Sequence, residues 1–231
     1  MPSKACVCFR VIANTPGRSW LWQFRGEVIN AQFITFEGGD GVGKTTQIKL
    51  TADYLIARGI DICCTREPGA TDLGVEIRAL LLSARFSPVP EAELFLFLAD
   101  RAQHVSTCIV PALAAGRWVL CDRYSDSTLA YQLAARRLVT QNNRLQSMLD
   151  FAELGVKPDT TLWFDLPPQQ ALERLQQRSE TPNRLDAESM AFHQGVYDGF
   201  LEIAKKTPRI HRIDATQGIK SIQQHIQNII T

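Results

Sequence analysis

Residues 33–46, FITFEGGDGVGKTT, constrain this chain more than any other stretch. An apolar, β-favouring run from Phe33 to Phe36 leads into Gly38, Gly43, Lys44 and Thr45 at the spacing G-x-x-x-x-G-K-[ST]. Each residue type has a physical task. Glycines let backbone N–H groups turn inward around phosphate oxygens, at torsions a side chain forbids. A helix beginning near Gly43 directs the positive end of its dipole at the same point. Lys44 supplies a mobile charge for β- and γ-phosphates, and the Thr45 hydroxyl is placed to ligate Mg²⁺. The spacing therefore predicts a cradle for ATP made of Gly38, Gly39, Asp40, Gly41, Val42, Gly43, Lys44, Thr45 and Thr46.

The rest of the chain alternates short apolar runs with amphipathic ones. Strands are expected at 33–36, 60–65, 118–121, 160–164 and 210–213. Helices are expected at 46–58, 73–84, 91–115, 127–138, 142–154, 168–179, 186–206 and 219–230. This alternation predicts an α/β fold with a parallel five-stranded sheet and helices on both faces. At 231 residues one domain accounts for the length. Residues 1–30 read differently, with four cations against Glu27, two tryptophans and no clean period. They are expected to be a flexible extension, with an organelle transit peptide or an over-long start as alternatives, and the domain to run from 31 to 231. The six cysteines include no C-x-x-C pair, which fits free thiols in a reducing cytoplasm. A net charge of +1 argues against a nucleic-acid-coating protein. No apolar run approaches the ~20 residues that span a bilayer.

Ligands of parallel sheets sit beyond the C-terminal strand ends. Three such ends carry chemistry here: the glycine loop, Arg66, and Asp122-Arg123. Asp122, closing an apolar run, is the candidate partner of Thr45 in holding Mg²⁺. Arg66 and Arg123 suit a second phosphate, because a planar guanidinium bonds oxyanions in a bidentate way. A second phosphate beside a triphosphate implies transfer between two nucleotides. The chain lacks the N-K-x-D of a guanine-reading GTPase. An anionic acceptor needs no strong base, so positioning and positive charge are the catalytic problem.

In order, FITFEGGDGVGKTTQ (33–47), TREPG (65–69), LFLADRAQH (96–104), DRYSDSTLAYQ (122–132) and RLD (184–186) resemble the thymidylate kinase family, from residue 32 onward. The resemblance implies a P-loop kinase fold with a short lid, acting as a dTMP kinase with ATP and Mg²⁺. It implies that Asp40 bonds the acceptor 3′-hydroxyl and that Arg66 and Arg123 hold the acceptor phosphate. Phe97 would stack on thymine, and Arg101, four residues on, would bond a base carbonyl. Thr128 and Gln132, also four apart, would read the remaining edge, with Tyr131 near the sugar, and Pro68 would follow a cis peptide.

Two departures stand out. Ala70 replaces the second glycine of R-E-P-G-G-T, and Gly41 stands where some relatives carry arginine. Where that arginine is missing, lid arginines close over the transferring phosphate, so the segment 178–188 is the expected lid, with Arg178 and Arg184 as catalytic candidates beside Lys44 and Asp122. A cytoplasmic homodimer, packed through the helix at 91–115, is expected, without nucleic-acid or membrane partners. The alternatives are another nucleoside monophosphate kinase and a non-catalytic nucleotide-binding module.

Overall fold

The computed structural model describes residues 10–11, 22–24, 27–29, 31–138, 142–177 and 183–231. Strands β1 (Arg10–Val11), β2 (Trp22–Phe24) and β3 (Glu27–Ile29) pair antiparallel in a small sheet of their own. The main sheet follows: β4 (Phe33–Glu37), β5 (Ile62–Arg66), β6 (Trp118–Asp122), β7 (Thr160–Asp165) and β8 (Ile210–Asp214). Its order is β5-β6-β4-β7-β8 and every pairing is parallel. Nine helices connect or cover these strands among the described residues. They are α1 (Lys44–Ile56), α2 (Asp72–Leu82), α3 (Pro90–His104), α4 (Val110–Ala114), α5 (Ser125–Thr128), α6 (Asn142–Glu153), α7 (Pro168–Gln176), α8 (Met190–Lys206) and α9 (Ile219–Ile230).

Strand periodicity divides the core. Ile34 and Phe36 of β4 join Leu120, Leu162, Phe164 and Ile213 beneath Leu55 of α1 and Ile222 and Ile226 of α9. Phe33 turns the other way, onto Ile109, Leu113 and Tyr124, its ring meeting Tyr124 edge-on at 5.0 Å. All five residues of β4 are buried, as expected of a central parallel strand covered on both faces. Full burial of an Ile, Leu or Phe side chain in this core contributes ~1.5–3 kcal/mol. No helix among the described residues is long and apolar enough to cross a membrane.

Three differences from the sequence reading have physical causes. Every sheet strand runs one residue further than its apolar run, ending in Glu37, Arg66, Asp122, Asp165 and Asp214. Ladder hydrogen bonds are made by backbone, so a polar residue can close a strand while its side chain faces the ligand rim. The helix expected at 91–115 is interrupted by a π turn, Val105–Ile109. Pro111 has no N–H to give and its ring crowds the carbonyl four residues back, so the ladder widens just before it. A second π turn, Leu129–Ala135, follows α5. The helix expected from 186 instead starts at Met190, where Ser189 Oγ accepts the Phe192 N–H at 3.2 Å.

Candidate active site

The glycine loop leaves β4 with Gly38, Gly41 and Gly43 all at positive φ (134°, 80° and 98°). A Cβ on Gly41 would lie 2.4 Å from the Ala171 carbonyl and 3.0 Å from Leu175 of α7. That answers the Gly41 departure: the loop presses on α7 and no arginine side chain fits. Ala70, by contrast, has no positive φ, so the missing glycine costs the R-E-P-G turn nothing. The Glu67-Pro68 peptide is cis.

Lys44 folds back over the loop, Nζ donating to the carbonyls of Gly39 (2.6 Å) and Gly38 (3.2 Å). Burial, and after it the neighbouring Arg123, lower its pKa, against the pull of Asp122 and Asp40. Thr45 and Thr46 lie exposed in the first turn of α1. Together with Lys44, Arg66, Asp122 and Arg123 they line one open cleft. Asp122 Oδ1 is buried without a hydrogen-bond partner. An orphaned carboxylate oxygen across a cleft from a free hydroxyl is a donor set of the hard-oxygen kind that Mg²⁺ takes.

Arg123 follows β6 in the left-handed region, φ 71°, which costs a non-glycine residue ~1–2 kcal/mol. Its guanidinium ties three neighbours together. One amino group donates to the Gly38 carbonyl at 2.7 Å and to Ser127 Oγ at 3.2 Å, and the other to Asp40 Oδ1 at 2.8 Å. Tyr131 OH donates to Asp40 Oδ2 at 3.3 Å. Burial pushes the Asp40 carboxyl up, but Arg123 and Lys44 outweigh it and hold the group below the usual carboxylate range. Beneath this set Glu37 is buried, accepting from Tyr124 N–H (2.7 Å) and Ser127 Oγ (2.5 Å), and burial and then Asp126 push it up to about 8.

A second cleft opens between α3, the R-E-P-G turn and the π turn at 129–135. Asp40, Phe97, Arg101, Arg123, Thr128, Tyr131 and Gln132 all line it, so these seven predicted acceptor residues converge; Arg66 sits in the phosphate cleft instead. Arg101 is almost wholly buried. It donates to Glu67 Oε2 at 2.9 Å and to Thr128 Oγ1 at 2.9 Å, and lies 4.9 Å over the Tyr124 ring. His104 bonds the other Glu67 oxygen at 2.9 Å. Gln132 donates to Glu93 at 2.8 Å, while its own Oε1 is buried and unpartnered.

Sequence reading missed four contributors: Glu67, Arg78, Glu93 and Asn183. Arg78 and Asn183 line both clefts, and Arg78 donates to the Pro68 carbonyl at 3.0 Å. Glu67 lies inside the R-E-P-G string, where a carboxylate next to the candidate phosphate-binding Arg66 is a usable signal. Glu93 and Arg78 are single charges on amphipathic helices and nothing in their spacing marks them.

Arg184, expected over the transferring phosphate, lines neither cleft in this arrangement. Its Nε donates to the Leu81 carbonyl at 2.9 Å, and an amino group pairs with Glu93. Arg136 bridges the same Glu93 to Glu188. A guanidinium largely out of water needs a charge partner, and the buried Glu93 supplies it. Asn183, Asp186 and Ala187, not Arg184, face the phosphate cleft. Arg178 lies outside the described residues.

Comparison with known proteins fits this arrangement. The family model described as Thymidylate kinase matches residues 36–226. A thymidylate kinase of Gloeobacter violaceus is 45% identical over 200 residues, covering 86% of this chain and 93% of the relative. One from Carboxydothermus hydrogenoformans is 49% identical over 177 residues, 77% of this chain and 86% of the relative. One from Desulfovibrio desulfuricans is 49% identical over 193 residues, 80% and 88%.

Proposed function

This chain belongs to the thymidylate kinase family, and we propose on that footing that it transfers the γ-phosphate of ATP to dTMP, giving ADP and dTDP. The observation that carries the reading is the meeting of the two clefts at Asp40 and Arg123, which line both. Donor phosphates lie along Gly38–Thr46 under Lys44; Thr45 and Asp122 would hold Mg²⁺, which would supply further positive charge to those phosphates. The acceptor phosphate lies between Arg66, Arg78 and Arg123. Asp40, kept ionised, accepts from the sugar hydroxyl with Tyr131 beside it. Phe97 offers a ring face to the base, and the unpartnered Gln132 Oε1 an acceptor to its edge. Arg101 presents a buried cation there, with Thr128 holding it in place.

The enzyme is proposed to act in the cytoplasm as a homodimer. Phe95 of α3 and Phe151 of α6 are 60% and 81% exposed on adjoining helices, which supports a second copy packing on that face. Residues 1–30 are proposed to take no part in the reaction.

The test offers dTMP, dUMP, dGMP and AMP in turn in a coupled ADP-release assay. Turnover is expected with dTMP first. Preference for AMP would overturn the acceptor assignment, and no turnover with any acceptor would favour a binding module. The lid arginines are separated by a second measurement. With Arg184 engaged by Glu93, charge neutralisation at the γ-phosphate falls to Arg178. Arg178→Ala is expected to lower kcat by ~10²-fold with little change in the KM for dTMP. Arg184→Ala is expected to lower stability by ~1.5–3 kcal/mol, the scale of a lost charge-assisted bond, with a much smaller effect on kcat. The reverse pattern in kcat would return Arg184 to the phosphate.

A further inference from the structure

Two thiols with no part in phosphoryl transfer lie 3.9 Å apart, Cys63 Sγ on β5 and Cys108 Sγ in the π turn after α3. β5 is an edge strand and both side chains are partly exposed, so a small oxidant can reach them. A disulfide needs its sulfurs about 2.05 Å apart. The gap is under 2 Å more than that, within the range of side-chain rotation and a small backbone shift. Cys121, behind them, is buried, and Cys64, the next residue of β5, is exposed.

The surroundings favour a thiolate at Cys108. His104, four residues earlier on the same helix face, lies beside it. The Thr65 hydroxyl stands between them, 2.7 Å from His104 Nε2 and 3.9 Å from Cys108 Sγ. Hydrogen bonding to Cys63 first, and then His104, holds the Cys108 thiol below its ordinary range against burial, while Cys63 is pushed up. One thiolate beside one thiol is the arrangement of an attacking and a resolving cysteine. The pair is also wired to the base site, since His104 bonds Glu67 and Glu67 holds Arg101.

We propose that Cys63 and Cys108 form a peroxide-reactive site that closes to a reversible disulfide and thereby loosens the Thr65–His104–Glu67 support of Arg101. The Cys108 thiolate, its proton released to solvent, attacks one oxygen of hydrogen peroxide. The S–O bond forms, the O–O bond breaks, and the departing hydroxide takes a proton from solvent to become water. Cys63 then attacks the sulfenic sulfur: S–S forms, S–O breaks, and water leaves with the Cys63 proton. Two thiols lose two electrons in all, and one peroxide becomes two waters.

The test treats the reduced full-length protein with hydrogen peroxide, then counts thiols and maps peptides with and without reductant. Two of the six thiols are expected to be lost per chain, with a linked Cys63–Cys108 peptide that dithiothreitol releases. Cys63→Ser is expected to leave a sulfenic acid on Cys108 that dimedone traps, Cys108→Ser to resist oxidation, and Cys64→Ser to behave as the parent. A linked peptide that uses Cys64 or any other partner, or thiols that all survive, would overturn the site. The kinetic arm rests on the proposed dTMP kinase reaction. Oxidised protein is expected to show a KM for dTMP raised about fivefold or more, restored by dithiothreitol. A complete disulfide with unchanged KM would overturn the coupling to Arg101 while leaving the thiol chemistry in place.

Discussion

Replacing Arg123 by alanine is expected to lower kcat/KM for dTMP by ~10³-fold or more, the scale on which a single arginine acts in phosphoryl transfer. Three separate losses add up in that variant. The acceptor phosphate loses one of its cations, Gly38 of the donor loop loses the bond that fixes its carbonyl, and Asp40 loses its ion pair. The last has its own signature. Asp40 is held below the usual carboxylate range because Arg123 and Lys44 outweigh burial. Without Arg123, burial acts with less opposition, so the acidic limb of the pH–rate profile should move upward. Arg123→Lys keeps a charge but cannot reach Gly38, Ser127 and Asp40 at once, and should recover only a small part of the rate. Steady-state kinetics with both variants decide the matter. Activity within tenfold of the parent in the alanine variant would remove Arg123 from the centre of the site.

Glu67→Gln is expected to be the most destabilising of the simple substitutions discussed. Glu67 is 4% exposed and is the carboxylate partner of two buried bases, Arg101 and His104. Removing one partner of a buried pair costs ~3–5 kcal/mol, because the remaining charge stays out of water. For a domain of this size that lowers Tm by on the order of 10 °C, readable by thermal denaturation. A pH dependence comes with it. Burial lowers the His104 pKa, but Cys108 and Glu67 outweigh it and raise it to about 9. A raised histidine contributes stability that is complete below its unfolded pKa, near 6.5, and is lost as pH climbs through the folded value. The parent should therefore lose stability from about pH 6.5 to 9, and Glu67→Gln should flatten that slope. A variant as stable as the parent, with the same slope, would mean that Glu67 does not anchor the pair.

Much of this protein was legible in the sequence, for a physical reason. Five strands and the helices between them follow from local periodicity, because apolar spacing in a strand or helix decides which face is buried before any tertiary contact forms. The glycine loop is legible for the same reason: positive φ and close approach are local demands, and only glycine meets them at Gly38, Gly41 and Gly43. The four-residue spacing of Phe97 and Arg101, and of Thr128 and Gln132, likewise put each pair on one helix face before the fold was known.

What only the tertiary structure decided concerns side chains whose partners are remote in sequence. Glu93 meets Gln132 39 residues away and Arg184 91 away, and nothing in the local pattern of α3 distinguishes it from a solvated charge. Arg184 therefore reads from the sequence as a free lid cation, whereas in the fold it pairs with the buried Glu93. Arg78 reaches both clefts only because the R-E-P-G turn folds against α2. The 3.9 Å between Cys63 and Cys108 depends on β5 lying at the sheet edge beside the π turn, itself set by Pro111. Local torsion and burial are encoded residue by residue; the pairing of charges and thiols is a property of distances that exist only after the sheet has closed its order.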